Sequence, residues 1–255
     1  MTDNRAVAVV TGASSGMGRE IVLDLARTHR VIAIGRDAGR LAAVAAEADA
    51  VSLAGSESAD LTKHTTDHST APSTTPWQVD VTDADSLARL IAGLDRIDVL
   101  VHAAAIGRRL RVDAARPEDW AEHFATNVTA PAELTRLALP LLRAAQGTVV
   151  FIGSGASTRP APGSAVYTAT KHALRGLADV LRIDEEPNLI RVVTVAPGQT
   201  DTPMLRGMVP EGAYEAERYI RPASVAAAVR FAVDAPADVQ ITDLAVRPRQ
   251  EIARI

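Results

Sequence analysis

The chain has 255 residues, 47% of them hydrophobic, no cysteine and a net charge of −4. That length holds a substantial core in one large α/β domain, and the charge offers no basic excess for nucleic acid. The lack of cysteine excludes disulfides, thiolate catalysis and cysteine-bound metal. No apolar run reaches the ~18 residues of a membrane span, and the start shows no signal-peptide pattern, so a cytoplasmic location is expected.

In chain order, short apolar runs predict strands at Ala6–Val10, Val31–Ile34, Gln78–Val79, Val99–His102, Thr148–Ile152, Val192–Ala196 and Leu244–Val246. Helical patterns lie between them, at about Gly18–Thr28, Gly39–Ala48, Ala84–Leu94, Trp120–Arg143, Tyr167–Glu185 and Ser224–Ala232. Strand–helix alternation of this kind predicts a parallel sheet with helices on both faces. The near-continuous Val/Ile/Ala character of the strands agrees with burial on both sides. Pro131 and Pro140 predict a kink or an end within the long fourth helix.

No interdomain linker interrupts residues 1–255, which read as a single domain. About 52–76 is rich in Ser, Thr, His, Asp and Pro, and reads as a surface loop or insertion. His64 and His68 stand four apart within it, but no third ligand accompanies them, so no metal is expected.

Thr11–Gly18 reads T-G-A-S-S-G-M-G, follows a strand and opens a helix. In that context Gly12 permits a tight turn, and Gly16 and Gly18 let backbone approach a pyrophosphate. Ser14 and Ser15 add hydroxyl donors, and the turn from Gly12 through Met17 to Gly18 becomes a phosphate cradle at a helix N-terminus. A glycine-rich turn without ligand is the alternative. The second strand ends in Gly35 with no carboxylate, and Arg36 follows at once. An arginine there favours a 2′-phosphate, hence NADP(H) over NAD(H); Asp37 reads as an N-cap. Asp80, with Val81 after the third strand, is placed to accept from an adenine amino group or to cap the next helix.

Tyr167 and Lys171 are four residues apart, on one face of a helix. A phenol has a pKa near 10, and bringing it towards neutrality takes about 4 kcal/mol. One ammonium at ~4 Å supplies about that much at an effective dielectric of ~20.

With the glycine turn, Asp80, Asn127, Ser154, Tyr167, Lys171 and Pro197-Gly198 in order, the chain resembles the short-chain dehydrogenase/reductase family from Val7 to about Val246. The resemblance implies a single Rossmann-type, doubly wound α/β domain with a seven-stranded parallel sheet in the order 3-2-1-4-5-6-7. It implies Tyr167 as the general acid or base and Ser154 as the holder of the substrate oxygen. Lys171 would lower the Tyr167 pKa and bind the nicotinamide ribose, and Asn127 would hold a relay water. Ser154 lies at the family's usual interval before Tyr167, and Pro197, Gly198, Thr200 and Thr202 would contact the nicotinamide.

Where the family usually reads Asn-Asn-Ala-Gly, this chain has His102-Ala103-Ala104-Ala105. Ala103 and Ala104 are still expected to line the cofactor. The missing amides would loosen a hydrogen bond between strands, and His102 would be satisfied by backbone. The last strand reads Val246-Arg247-Pro248, as in members that are NADP-dependent reductases of small hydroxy acids or aldehydes. Substrate is expected under a loop at about 203–221. There Met204, Leu205, Met208, Val209, Tyr214 and Tyr219 offer apolar contact, and Arg206, Arg218 and Arg221 are candidates for a carboxylate. The expected reaction is hydride transfer with a small carbonyl/alcohol substrate, in a homodimer or homotetramer. A non-catalytic nucleotide-binding regulator, and a dehydratase or epimerase on the same scaffold, remain the alternatives.

Overall fold

A computed structural model describes the backbone of residues 5–59, 73–160, 162–210 and 212–250. The elements are β1 (Val7–Thr11), α1 (Gly16–Leu25), β2 (Arg30–Gly35), α2 (Ala38–Ala59), β3 (Thr74–Gln78), α3 (Ala84–Ala92), β4 (Val99–His102) and α4 (Pro117–Phe124). They continue with α5 (Ala130–Ala145), β5 (Thr148–Ile152), α6 (Ala165–Asp184), β6 (Arg191–Pro197), α7 (Pro203–Arg206), α8 (Pro222–Val233) and β7 (Asp243–Val246). All seven strands are parallel, in the order β3-β2-β1-β4-β5-β6-β7.

Alternate residues of each strand feed opposite cores. Ala8, Val10, Val31, Ala33, Val101, Val150 and Val193 face the layer formed by α1, α2 and α8. Val7, Val9, Ile32, Ile34, Leu100, Val149 and Phe151 face the layer formed by α3, α5 and α6. A strand buried on both faces has no polar face to show, which is why these runs are apolar throughout. The order reverses between β1 and β4, and such a switch point leaves a crevice at the carboxyl ends of the strands.

Three expectations are corrected. The third strand is Thr74–Gln78, paired with β2 from Val31↔Thr74 to Gly35↔Gln78, and not Gln78–Val79. Thr74-Thr75-Pro76 looked like loop because β3 is a half-exposed edge, where a proline costs no ladder bond. The second helix continues past Ala48 to Ala59, so the expected insertion shrinks from both ends; His64 and His68 lie outside the described residues.

The long fourth helix is two helices joined by a π-helical turn, Ala125–Thr129, closed by Ala130 N–H donating to the Ala125 carbonyl five residues back. Pro131 lacks the N–H that would reach Asn127 in ordinary α winding, so the register changes here. Pro140 lies inside α5, which runs on to Ala145.

Candidate active site

The crevice opens between the glycine turn and the residues that follow β4, β5 and β6. Gly12 has φ +68°, and a Cβ on it would stand 2.7 Å from the Ala104 nitrogen. A Cβ on Gly18 would stand 2.2 Å from the Gly12 carbonyl oxygen, so neither position tolerates a side chain. Ser15 is the N-cap of α1, yet its side chain makes no capping bond, and the first turn carries no acidic residue. A helix N-terminus left in that state attracts an anion. Ser14 lies across from the end of β2, its Oγ 3.4 Å from where a Cβ on Gly35 would be.

Arg36 is exposed, with Nη1 4.0 Å from Asp80 Oδ2. Asp37 accepts from the Arg40 backbone at 2.9 Å and from Arg40 Nε at 2.8 Å, so the one carboxylate just beyond β2 is engaged at the start of α2. Asp80 accepts from the Thr82 N–H and hydroxyl, which hold its carboxyl below the usual range. The cap of α3 is Asp83, which accepts from the Ser86 N–H, and so Asp80 does not cap it. Val81 packs against the core beside α3 and α5.

After β4, the backbone N–H groups of Ala103 and Ala104 both donate to Thr11 Oγ1 at 3.1 Å. These bonds require no side-chain amide, so the turn is tied to β1 without the family's asparagines. His102 is buried and stacked on Phe151 at 4.8 Å, with Nε2 2.8 Å from Thr135 Oγ1. Its ring partner is thus a side chain, not the backbone group expected. Burial pulls its pKa down to about 3, so the ring is neutral.

Asn127 sits in the π-helical turn, buried. Its Oδ1 accepts from Ile106 N–H at 2.8 Å, and its Nδ2 donates to the Ile106 carbonyl at 2.9 Å and to Thr170 Oγ1 at 3.1 Å. The side chain therefore fixes the segment after β4 to α6. Lys171 is buried and donates from Nζ to the Ile152 carbonyl at 2.9 Å, beneath Ser154. Its Nζ lies 5.7 Å from the Tyr167 ring centroid.

Burial pushes the Tyr167 phenol above its ordinary 10, while the Ser154 hydroxyl, within hydrogen-bonding reach, draws it down. Burial pulls Lys171 down to about 8. This differs from the expectation built on spacing, in which the ammonium lowers the phenol. In the ligand-free protein desolvation dominates both groups, and the counterweight to the phenol's burial comes from Ser154.

A cavity of about 300 Å³ lies in front of Ser154 and Tyr167. Met17, Pro197, Gly198, Thr200 and Thr202 are among its lining residues, together with Met204, Leu205, Met208 and Val209. Thr200 donates to the Gly198 carbonyl and Thr202 caps α7 by accepting from Leu205 N–H, so both hydroxyls are held by their own loop. Gly107 had drawn no attention in the sequence. A Cβ on it would stand 3.3 Å from the Tyr167 ring and 3.1 Å from Met204 Sδ, so its bareness gives the phenol room.

Most of the tyrosines and arginines of the 203–221 loop have partners of their own, and none of them lines the cavity. Tyr214 and Tyr219 stack on each other at 4.8 Å, and Tyr214 donates its hydroxyl to Asp201. Arg206 grips Asp201 with two bonds, and Arg218 pairs with Glu215 at 3.7 Å. Arg221 precedes α8 and lies outside the cavity lining.

Parallel strands that converge on a free helix end, beside a cavity lined by Ser154 and Tyr167, are the architecture of a Rossmann-like α/β protein. A family model described as short chain dehydrogenase matches residues 49–212. The uncharacterized short-chain type dehydrogenase/reductase y4eK of Sinorhizobium fredii is 32% identical over 255 residues, covering 96% of this chain and 92% of that protein. Among solved structures, the alcohol dehydrogenase of Thermococcus sibiricus in complex with 5-hydroxy-NADP aligns with a TM-score of 0.81. It is 26% identical, over 98% of this chain and 99% of that one. The closed form of serine dehydrogenase complexed with NADP+ also gives 0.81, at 27% identity and 98% of both chains. The chain belongs to the short-chain dehydrogenase family of oxidoreductases, whose members bind NAD(P)(H).

Proposed function

We propose that the protein is an NADP(H)-dependent oxidoreductase that interconverts a carbonyl and an alcohol, with Tyr167 as the acid/base group. The observation that carries this reading is the placement of Ser154 and Tyr167 together on the cavity floor with Lys171 directly behind. When bound, a nicotinamide supplies or accepts the hydride. Gly12, Ser14, Ser15, Gly16, Met17 and Gly18 would hold the pyrophosphate, Asp80 and Val81 the adenine, and Ala103, Ala104, Pro197, Gly198, Thr200 and Thr202 the nicotinamide half. The fit rests on the uncapped end of α1 and on turns in which no Cβ has room.

Ser154 holds the substrate oxygen and orients it towards the phenol. In reduction Tyr167 gives its proton to that oxygen; in oxidation it takes the proton from the alcohol. Lys171 steadies the phenolate and reaches for ribose hydroxyls. Asn127 supports it from the π-helical turn, where the family pattern places a relay water. The preference for NADP(H) rests on Arg36, which no strong carboxylate contact restrains, and on Asp37, which Arg40 already occupies. The exposed Val180 and Ile183 on the outer face of α6 favour pairing of that helix between copies in a homodimer or homotetramer. A cytoplasmic location goes with the same reading.

A carbonyl and alcohol panel followed at the nicotinamide band tests the chemistry. Tyr167→Phe should lower kcat by at least about 10³-fold while NADPH affinity stays within about threefold. Equal turnover by wild type and Tyr167→Phe would exclude Tyr167 as the acid/base. For the cofactor, calorimetric titration of Arg36→Ala should show NADPH weakened by about tenfold or more and NADH nearly unchanged. Equal losses for both would remove Arg36 from the 2′ site.

A further inference from the structure

The cavity wall beside Ser154 is cationic, and two of its cations, Arg159 and Arg247, have no partner among the described residues. Arg159 and Arg247 both line the cavity, and among the described residues neither makes an ion pair or a side-chain hydrogen bond. Neighbouring cations are engaged: Arg108 pairs with Glu122 and lies 3.4 Å from Asp119, and Arg206 is held by Asp201. A protein with more acidic than basic residues, 31 against 27, has carboxylates to spare, yet among the described residues none stands against these two arginines.

The position of Arg247 is built, not incidental. It follows the last paired residue of β7, where Pro197 pairs with Val246, and the Gly198 N–H donates to the Val246 carbonyl at 2.7 Å. From there the guanidinium lies on the backbone immediately after Ser154. A Cβ on Gly155 would stand 2.6 Å from Arg247 Nη1 and 3.3 Å from its Cζ. Gly155 is therefore a bare platform under the guanidinium, one residue from the hydroxyl that faces the reacting centre. Arg159 comes from the same loop, its N–H donating to the Gly155 carbonyl at 3.1 Å.

We propose that Arg247, seconded by Arg159, is a carboxylate-binding site that restricts the substrate to small hydroxy or oxo carboxylic acids. The acid group would lie within a few bonds of the carbon that Ser154 and Tyr167 address. A planar guanidinium matches a carboxylate with two parallel bonds, which fixes orientation as well as charge. Smallness follows from the space: one cavity of about 300 Å³ includes the residues assigned to the nicotinamide, leaving room for a short acid beside Met204 and Met208. The proposal rests on the oxidoreductase reading above and adds the substrate class and the residues that select it. It moves carboxylate recognition from Arg206, Arg218 and Arg221 to the end of β7 and the loop after β5.

The test compares short 2- and 3-hydroxy acids with their methyl esters, in wild type, Arg247→Met, Arg247→Lys and Arg159→Met, with NADP+. Wild type should favour the acids. Arg247→Met should cut the acid-to-ester ratio of kcat/KM by about 10- to 100-fold, mainly through KM, with Arg159→Met losing less and Arg247→Lys recovering only part. An unchanged ratio, or wild-type preference for the esters, overturns the proposal; in that case ester turnover that still depends on Tyr167 leaves the oxidoreductase reading standing. If wild type turns over neither series, the oxidoreductase reading is decided by the wider carbonyl and alcohol panel and not by this test. Calorimetric binding of the acids to wild type and Arg247→Met then decides the site alone: weaker binding in the variant supports it, and equal or absent binding overturns it.

Discussion

Lys171 is held in a setting that opposes its own charge. Its Nζ is buried, has the Ile152 carbonyl as its hydrogen-bond partner, and has its pKa pulled from the ordinary 10.5 to about 8. Below pH 8 the folded protein must keep a buried ammonium, at a cost on the order of 3 kcal/mol. Between about 8 and 10.5 the unfolded chain holds the proton that the folded chain has released, so stability from this group rises with pH. Lys171→Met should therefore be inactive but more stable than wild type at pH 7 by about 1–2 kcal/mol, after the lost hydrogen bond is allowed for. That advantage should vanish as pH approaches 10, as read from urea midpoints across the range. A difference that stayed constant with pH would mean that the lysine is not held in this way. Tyr167 and Lys171 were recognisable as a pair from their spacing, but the direction of their mutual effect was not. Spacing reports which helix face two groups share, and desolvation depends on what chains far away in sequence lay over them.

At the level of elements, strands buried on both faces were the easiest to read. β4 and β5 lie at Val99–His102 and Thr148–Ile152 as expected, because unbroken apolar runs have no other stable use in such a fold. Edge elements were harder. β3 contains two threonines and a proline, and its burial is partial, so its pattern resembles loop until β2 is placed beside it. The π-helical turn at Ala125–Thr129 was visible only as a suspicion about Pro131. A proline announces a missing donor, but the surrounding helices decide whether the chain kinks, stops or changes winding. The site shows the same division. Its glycines and the Ser154–Tyr167–Lys171 set are local signals, whereas the room at Gly107, the bonds to Thr11 Oγ1 and the contact of Arg247 with Gly155 come only from neighbours across the sheet.

At the scale of the whole molecule, both helical layers leave apolar side chains outside, Leu53 on α2 and Phe231 on α8 as well as a pair on α6. The layer containing α6 exposes Val180 and Ile183, three residues apart on one face and 57% and 70% exposed. Two such residues side by side gain little from facing water. If α6 pairs between copies, Ile183→Asp should shift sedimentation velocity from dimer or tetramer towards monomer without unfolding the chain. An assembly unaffected by charge at both Val180 and Ile183 would place the contact elsewhere. Among the described residues no helix is long and apolar enough to cross a membrane.

The last strand has only four residues, is half exposed, and pairs on one side alone, with β6. Short sheet edges open at low free energy, well before the core does. The proposed proton transfer rests on the opposite kind of element, buried β5 and the interior of α6, which open only with the fold as a whole. Arg247 thus belongs to the part of the sheet that exchanges its amide protons first, and Tyr167 to the part that exchanges last. If both roles hold, substitutions that retune the choice of molecule can accumulate at the sheet's edge while the proton-transfer machinery stays locked in its interior.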